Sequence, residues 1–288
     1  MRARAVGAAV IGVVLMAGCG AVPSAEPPPG AVLPEVLPEP LSLADFPDES
    51  TTGVPDGIEL QPSGSVRVTE DGAVIEGLEI TGTVTVLADD VVIRNTRILN
   101  TGEFAIRIDG GNRLLVEDTE IDGQGRGGPA VAFSRYTLRR VDIHHVTEGP
   151  RIAGSDVTIE DSYIHHLVQE GDNHTDAIQA VSGRNLVLRG NRVEAQAPDT
   201  DDLGNAAFMF GEEDGELENC VVEKNYFDGG NYTVNGGGGG TTGAECSFSE
   251  NAFGRTSRYG PAANLGESIT WEDTNVWINS HDPVRGDG

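Results

Sequence analysis

The sequence predicts an all-β fold, a single-stranded parallel β-helix (a solenoid) of about eight to nine coils. A short unit recurs along the chain with a period of roughly 18 to 34 residues. Within each unit apolar residues alternate with polar ones, which is the pattern of a half-buried strand. No helical periodicity interrupts the repeated region. Because one unit cannot bury its own apolar face, we expect successive units to stack in register around a continuous core.

Each copy of the unit starts with a β-branched or apolar pair, continues with polar residues and ends on an apolar residue. Gly, Asn and Asp lie between the apolar segments, as turns require. A second short apolar strand, such as 105–108 or 177–180, follows the first in several copies. The copies span 73–80, 91–98, 114–121, 136–143, 157–164, 186–193, 220–227, 246–253 and, in shortened form, 270–278.

The first residues predict export. Two arginines precede an apolar run of about a dozen residues, 5–16, which suits a signal-peptide core and is too short to span a bilayer. Small residues precede Cys19, as in the processing site of bacterial lipoproteins. We therefore expect residues 1–18 to be a lipoprotein signal peptide, and Cys19 to carry a lipid anchor on the extracellular side of the cell membrane. The alternative is ordinary secretion with cleavage near Ala21.

Composition divides the remaining chain into two regions. Residues 19–50 are rich in Pro and Ala, which predicts a semi-extended tether that lifts the folded part off the membrane. Residues 51–288 are then left for one β-helix domain, which we expect to be a monomer. Beyond the signal peptide, no apolar stretch is long enough to cross a membrane. The lipid is therefore the expected membrane contact.

The chain is strongly acidic, with 46 Asp and Glu residues against 19 Lys and Arg and a net charge of −27. Nucleic acid is not expected as a partner, because phosphate binding needs clustered Lys and Arg. An acidic polysaccharide would need a local basic site or a bridging Ca²⁺ ion. Ca²⁺ is the cofactor that we consider.

The repeat register makes two predictions about vertical neighbours. Cys220 and Cys246 occupy the same place in adjacent units, and stacked strands lie about 4.8 Å apart, within the separation that a disulfide tolerates. An oxidising compartment lets such a bond persist, so we expect these two residues to be paired. Asn191, Asn225 and Asn251 also align, and we expect them to stack as a turn ladder.

Several repeat segments resemble right-handed β-helix repeat proteins exported by actinobacteria. The wider superfamily is similar to pectate lyases, polygalacturonases and other polysaccharide-active enzymes. The resemblance implies a right-handed winding, a polysaccharide partner and a lyase or hydrolase activity. It is carried by segments 136–144, 157–165, 205–209 and 229–234 and covers roughly 53–278.

Five of the six histidines fall in two neighbouring coils. The register places His144 directly under His165, with Asp122, Glu194 and Asp228 in the same column. Histidines and carboxylates on one ladder form an acid/base constellation. The same column could instead hold a divalent metal on Asp122, Glu194 and Asp228. The third alternative is a polar turn ladder without a function.

A second constellation lies in an enlarged loop with the sequence Asp-Asn-His-Thr-Asp. The register places Glu148 beside Asp176, and Arg151 beside Gln179. Long loops on a rigid solenoid often carry binding sites. We therefore predict that Glu148, Arg151, His174 and Asp176 converge as catalytic residues. The structural alternative is an ion pair between Glu148 and Arg151.

Gln179, Arg107 and Asn235 are predicted to line the same column as substrate-binding residues, and Tyr232 to stack on a sugar ring. In a lyase, Arg151 would abstract a proton beside a uronate carboxyl that Ca²⁺ neutralises. In an inverting hydrolase, two carboxylates about 6.5 to 9.5 Å apart would act as acid and base. The sequence thus predicts a cell-surface polysaccharide lyase or glycoside hydrolase. The alternative is a non-catalytic glycan-binding or cell-envelope scaffold lipoprotein.

Overall fold

The computed structural model describes residues 39–100, 102–169, 174–196, 202–238 and 244–286. Within these ranges the chain forms 27 short strands and one 3-10 turn, Leu43–Asp45. The strands pair in parallel in long sheets, an arrangement consistent with a β-solenoid. The predicted all-β class is therefore confirmed. No helix in the described ranges is long and apolar enough to cross a bilayer. The expected signal peptide and Cys19 lie outside these ranges.

Each coil contributes strands to three columns, and the first column is a ten-stranded sheet, here called sheet A. Its strands are short, and their central apolar residues, such as Ile98 and Ile143, are fully buried. Sheet A comprises β1 (Gln61–Ser63), β4 (Leu78–Thr81), β7 (Arg97–Leu99), β10 (Glu120–Pro129), β13 (Asp142–Glu148), β16 (Tyr163–His165), β18 (Arg192–Glu194), β21 (Tyr226–Asp228), β24 (Ala252–Phe253) and β27 (Val276–Trp277).

The second column, sheet B, carries the candidate acidic site. Sheet B comprises β2 (Val66–Val68), β5 (Val84–Val86), β8 (Ile106–Ile108), β11 (Val131–Phe133), β14 (Arg151–Ala153), β17 (Asp176–Arg189), β19 (Ala206–Gly211), β22 (Tyr232–Gly238) and β25 (Gly260–Ala263).

The third column, sheet C, is continuous with sheet B through the long strand β17, whose first half pairs in sheet B and whose second half pairs in sheet C. Sheet C comprises β3 (Val74–Glu76), β6 (Val92–Arg94), β9 (Leu114–Glu117), β12 (Tyr136–Arg139), β15 (Val157–Glu160), the end of β17, β20 (Leu217–Glu223), β23 (Cys246–Ser249) and β26 (Thr270–Trp271).

The core is a continuous ladder inside the three columns. Aliphatic residues fill the N-terminal coils, because Val and Ile alternate with polar residues in those strands. Aromatic rings replace them towards the C-terminal end, where Phe208 and Phe210 stack with centroids 5.2 Å apart and Phe248 lies 5.7 Å from Phe210. The residues of this central ladder are therefore apolar in the N-terminal and the C-terminal coils alike.

The disulfide between Cys220 and Cys246 is confirmed. The two residues are register partners in β20 and β23, and their Cα atoms are 4.4 Å apart. The bond therefore links two adjacent coils, as the sequence register predicts.

The asparagine ladder is also confirmed, and it is longer than predicted. The backbone N–H of Asn191 donates to Oδ1 of Asn225 at 3.0 Å, and that of Asn225 donates to Oδ1 of Asn251 at 3.0 Å. Asn275 continues the ladder above by accepting from the backbone N–H of Asn251, and below it the backbone N–H of Ser162 donates to Oδ1 of Asn191. All these side chains are fully buried, so each amide must satisfy backbone groups at the turn.

An N-terminal strap, residues 40–53, lies along the outer face of sheet A. The carbonyl of Leu41 accepts from the backbone N–H of Asn279 in the last coil at 2.8 Å. The backbone N–H of Gly53 donates to the carbonyl of Arg140, just before β13, at 3.0 Å. The compact unit of the chain accordingly begins at Pro40, so its first residues come from the region that composition assigns to the tether.

Candidate functional site

The acidic site lies where sheet A passes into sheet B. Arg151 and Gln179 are register partners, as predicted. The backbone N–H of Gly149 donates to the carbonyl of Asp176 at 3.0 Å, which places Glu148 and Asp176 on adjacent coils. Glu148, Arg151 and Asp176, three of the four residues predicted for this constellation, are therefore brought together; the other two predicted catalytic residues, His144 and His165, lie on sheet A.

Asp176 is almost completely buried, with 2% of its surface exposed. The side-chain amide of Asn205 donates to Oδ1 of Asp176 at 2.8 Å. Burial raises the pKa of Asp176 to about 7, and the nearby charge of Glu148 adds to the rise. The hydrogen bond from Asn205 lowers the pKa, but its effect is smaller than that of burial. Asp176 is therefore a carboxyl group that can hold a proton near neutral pH.

Glu148 lies beside Asp176 and faces a cation. Burial raises the pKa of Glu148, and Arg151, with its Nη1 3.6 Å from Oε1 of Glu148, lowers it in part. The two carboxyl groups differ in their partners, because Asp176 has an amide and Glu148 has a guanidinium. Such a pair can divide the roles of acid and base.

Three buried oxygens at this site have no hydrogen-bond partner among the described residues. They are Oε1 of Glu148, Oε1 of Gln179 and Oγ1 of Thr175, the residue before Asp176. Buried polar atoms are nearly always paired in folded proteins. Oε1 of Glu148 has the guanidinium of Arg151 at 3.6 Å, so among the described residues the acceptors without a near partner are those of Gln179 and Thr175.

His174 is exposed at the start of the described segment that leads into β17. The preceding residues of the predicted motif, Asp172 and Asn173, lie outside the described residues. The fourth predicted catalytic residue is thus adjacent to the site in sequence.

The predicted substrate-binding residues follow the register of sheet B. Arg107 forms an ion pair with Asp109 at 2.8 Å. Tyr232 lies on β22, with its ring centroid 5.5 Å from that of Tyr259. One column of register partners runs through Arg107, Ala132, Arg151, Gln179, Met209 and Asn235.

The histidine column on sheet A follows the predicted register at its lower end. His144 is the register partner of Asp122 below and of His165 above. The ring centroids of the two histidines are 5.4 Å apart. The prediction that distant residues become vertical neighbours is therefore confirmed here.

The upper end of the same column has different partners. The hydroxyl of Tyr163 donates to Glu194 at 3.0 Å, and the hydroxyl of Tyr226 donates to Asp228 at 3.1 Å. These two carboxylates are therefore engaged by tyrosines rather than gathered with Asp122 into one set of ligands.

His144 sits among carboxylates. Burial alone would lower its pKa, but Glu120, with Oε1 3.4 Å from Nε2, and the charges of Asp142 and Asp122 raise it above its usual value. The pKa of Glu120 is lowered, because His144 and Arg97 outweigh the effect of burial. The carboxylates in this part of sheet A therefore favour the positively charged form of His144.

Comparisons with known proteins give no relative: no family model matches the chain, and no curated protein or solved structure matches it either.

Sequence reasoning missed the partners of the two aligned histidines. His145 and His166 follow His144 and His165 directly, and each ring lies edge-on to its predecessor with centroids 4.6 Å apart. The signal was a His-His dipeptide at the same place in two units. Strand alternation predicts that adjacent side chains point to opposite faces, which concealed the contact.

Proposed function

We propose that this chain is a polysaccharide-acting enzyme, a lyase or glycoside hydrolase, whose chemistry is carried by Glu148, Asp176 and Arg151. The supporting observation is a pair of carboxyl groups on adjacent coils beside a guanidinium, one of them, Asp176, almost completely buried. Oε1 of Gln179, the register partner of Arg151, has no hydrogen-bond partner among the described residues and adds an acceptor for a ligand hydroxyl group.

In a hydrolase, Asp176 donates the proton to the leaving oxygen, because its pKa of about 7 keeps it protonated near neutral pH. Glu148 then acts as nucleophile or base. Adjacent coils lie about 4.8 Å apart, closer to the carboxyl spacing of about 5 to 5.5 Å in retaining enzymes than to that of inverting ones.

In a lyase, the carboxylate of Glu148 takes the proton beside the uronate carboxyl, the glycosidic C–O bond breaks and protonated Asp176 gives its proton to the leaving oxygen. Arg151 stays charged beside Glu148 and faces the uronate. A bound Ca²⁺ ion would neutralise the negative charge of the uronate carboxylate. Oxygen atoms of Glu148 and Gln179 are of the type that Ca²⁺ prefers. Arg107 and Arg151 in one column provide the local positive charge that an acidic substrate needs on so acidic a protein.

The same proposal includes the cellular setting and the finer description of the fold. Export by residues 1–18, a lipid on Cys19 and a monomer facing the extracellular side rest on the sequence features. The disulfide is compatible with an oxidising compartment. The right-handed winding in about eight to nine coils rests on the sequence repeat and the resemblance.

Binding without turnover is the second candidate, because an exposed tyrosine packs against a second, partly buried one. Tyr259 has 64% of its surface exposed and stands against Tyr232. Aromatic faces are suitable platforms for sugar rings. This pair is the observation that favours a glycan-binding protein.

A glycan panel tests the proposal. We expect the purified protein to release reducing ends or to produce the ultraviolet absorbance of an unsaturated uronate, with and without Ca²⁺. Asp176→Asn and Glu148→Gln should each lower the rate by at least about 100-fold, the usual contribution of a positioned acid or base. Glu245→Gln, at an exposed turn, is the matched control and should keep the full rate.

Turnover that survives in the double variant Asp176→Asn and Glu148→Gln would contradict the assignment of the site. Binding of glycans without any product, weakened by Tyr259→Ala, would support the second candidate instead.

A further inference from the structure

Two histidine pairs stand in register on adjacent coils, at the outer edge of sheet A. His145 and His166 adopt left-handed backbone conformations, with φ of 51° and 48°. The chain therefore bends within β13, at His145, and directly after β16, at His166, and each second ring is brought round to face the first. The backbone N–H of His145 donates to the carbonyl of His166 at 3.0 Å, which keeps the two turns stacked.

The lower pair and Asp122 form a triad of facing ligand atoms. Nδ1 of His144 lies 2.9 Å from Nδ1 of His145 and 3.8 Å from Oδ1 of Asp122, and Nδ1 of His145 lies 3.2 Å from the same oxygen. A tetrahedral zinc ion with ligands at about 2.0 to 2.2 Å has edges of about 3.3 to 3.6 Å. The three separations scatter around that edge length.

The upper pair has the same construction one coil higher. The Nδ1 atoms of His165 and His166 face each other. The N-terminal strap brings the carboxylate of Glu49 to them, so that the three ligand atoms lie within 4.8 Å of one another. A carboxylate from a separate segment thus completes the second triad.

We propose that each triad binds one transition-metal ion of the zinc class, which gives two ions on adjacent coils. Imidazole nitrogen together with carboxylate oxygen suits zinc, copper, nickel or cobalt rather than Ca²⁺ or Mg²⁺, which prefer oxygen alone. The inference is independent of the proposed action on polysaccharides, because it rests on sheet A rather than on the acidic site.

The outer nitrogens of the first rings support this assignment. Nε2 of His165 lies 2.8 Å from Oδ1 of Asp142, and Nε2 of His144 lies 3.4 Å from Oε1 of Glu120. Histidines that bind metals usually donate their other N–H to a carboxylate, which fixes the tautomer and the direction of the ring. Here that bond directs Nδ1 of each ring towards its triad.

The surroundings also hold the ligands in place. The ring of Tyr163 stacks on His165 with centroids 3.8 Å apart and planes 9° apart. The backbone N–H of Gln124 donates to Oδ1 of Asp122 at 2.8 Å. The four histidines and Glu49 line an open cavity of about 310 Å³, so each ion would keep a coordination position for water or another small ligand.

Titration with Co²⁺ alone tests the proposal, on the full chain without a polyhistidine tag and after removal of metals by a chelator. We expect two equivalents per chain, with the visible absorption of four-coordinate Co²⁺, and displacement by Zn²⁺. His145→Ala and His166→Ala should each retain one equivalent. His281→Ala, at an exposed position in the last coil, should retain two.

Circular dichroism of each variant checks that it folds, and His145 is 48% exposed, so that its loss leaves no large cavity. Fewer than two equivalents in the wild-type chain, or unchanged binding when both His145 and His166 are replaced, would overturn the proposal. Asp176→Asn should keep both ions, which separates this test from that of the proposed function.

Discussion

Asp176 shows how one residue can link fold and chemistry in this protein. The register places it at the start of β17 beside Glu148, and the coil above covers it through Asn205. Burial destabilises the ionised form of a carboxyl group, so Asp176 keeps its proton to a higher pH than an exposed Asp does. The same burial that suits an acid catalyst therefore makes folding sensitive to pH.

The pKa of about 7 in the folded chain, against 3.8 for an ordinary Asp, predicts a pH-dependent free energy of unfolding. Between these values the unfolded chain is ionised while the folded chain keeps the proton, so stability falls as pH rises from about 4 to 7, by up to about 4 kcal/mol. Asp176→Asn should remove this slope and be more stable than wild type at pH 8.

Denaturant titrations across this pH range measure the slope. Asp56→Asn, at an exposed position, is the control and should keep the wild-type slope. An unaltered slope in Asp176→Asn would assign the pH dependence to another group.

The residue-level neighbours could be predicted from the sequence only where the repeat is regular. Aligned units gave His144 over Asp122 and Cys220 under Cys246, because stacking converts equal positions into contacts. The burial of Asp176 and the inward turn of His145 could not be predicted. The burial of Asp176 depends on the coil that covers it, and the turn of His145 depends on a left-handed φ. Neither feature appears in the sequence as a periodic pattern.

At the scale of elements, the last residues of the sheet C strands form a ladder of alternating charge. Nη2 of Arg94 lies 3.0 Å from Oε2 of Glu76, and Nε of Arg139 lies 2.6 Å from Oε1 of Glu160. Each charge therefore has opposite charges as vertical neighbours, which disfavours pairing shifted by one coil. The ladder runs through Glu76, Arg94, Glu117, Arg139, Glu160, Arg189 and Glu223.

Arg139→Glu should destabilise the fold by about 1 to 2 kcal/mol, because it replaces two attractive neighbours, Glu117 and Glu160, with two repulsive ones. Denaturation in low salt and in high salt measures the effect, and we expect salt to reduce it. Arg67→Glu is the matched control, since its register partner is Thr85. Equal losses in the two variants, or a loss at Arg139 that salt does not change, would refute the ladder's role.

At the scale of the whole molecule, the N-terminal strap connects coils that are far apart. It contacts the last coil at Asn279 and the coil of β13 at Arg140, and Phe46 packs on Tyr226 between them with centroids 5.7 Å apart. A solenoid has mostly contacts between adjacent coils, so a segment along its axis makes distant coils unfold together. Composition could not predict this packing. A Pro-rich sequence indicates an extended chain, but it does not indicate which surface of the fold that chain will contact.

Phe46→Ala should lower the free energy of unfolding by about 2 kcal/mol, roughly half the loss for a fully buried ring, since Phe46 is half-buried. It should also speed proteolysis within residues 40–53. Leu43→Ala, in the same segment at a position 40% exposed, should change stability by less than about 0.5 kcal/mol. Thermal unfolding and limited proteolysis provide the measurements, and equal behaviour of the two variants would contradict a packed strap.

The alternation of charge in sheet C also constrains how such a chain can lengthen or shorten during evolution. Duplication of the single coil that ends at Arg139 would set one arginine on another, and its deletion would set Glu117 against Glu160. Gain or loss of two coils at once leaves every junction between opposite signs. The charge ladder therefore favours the gain or loss of coils in pairs over the gain or loss of a single coil.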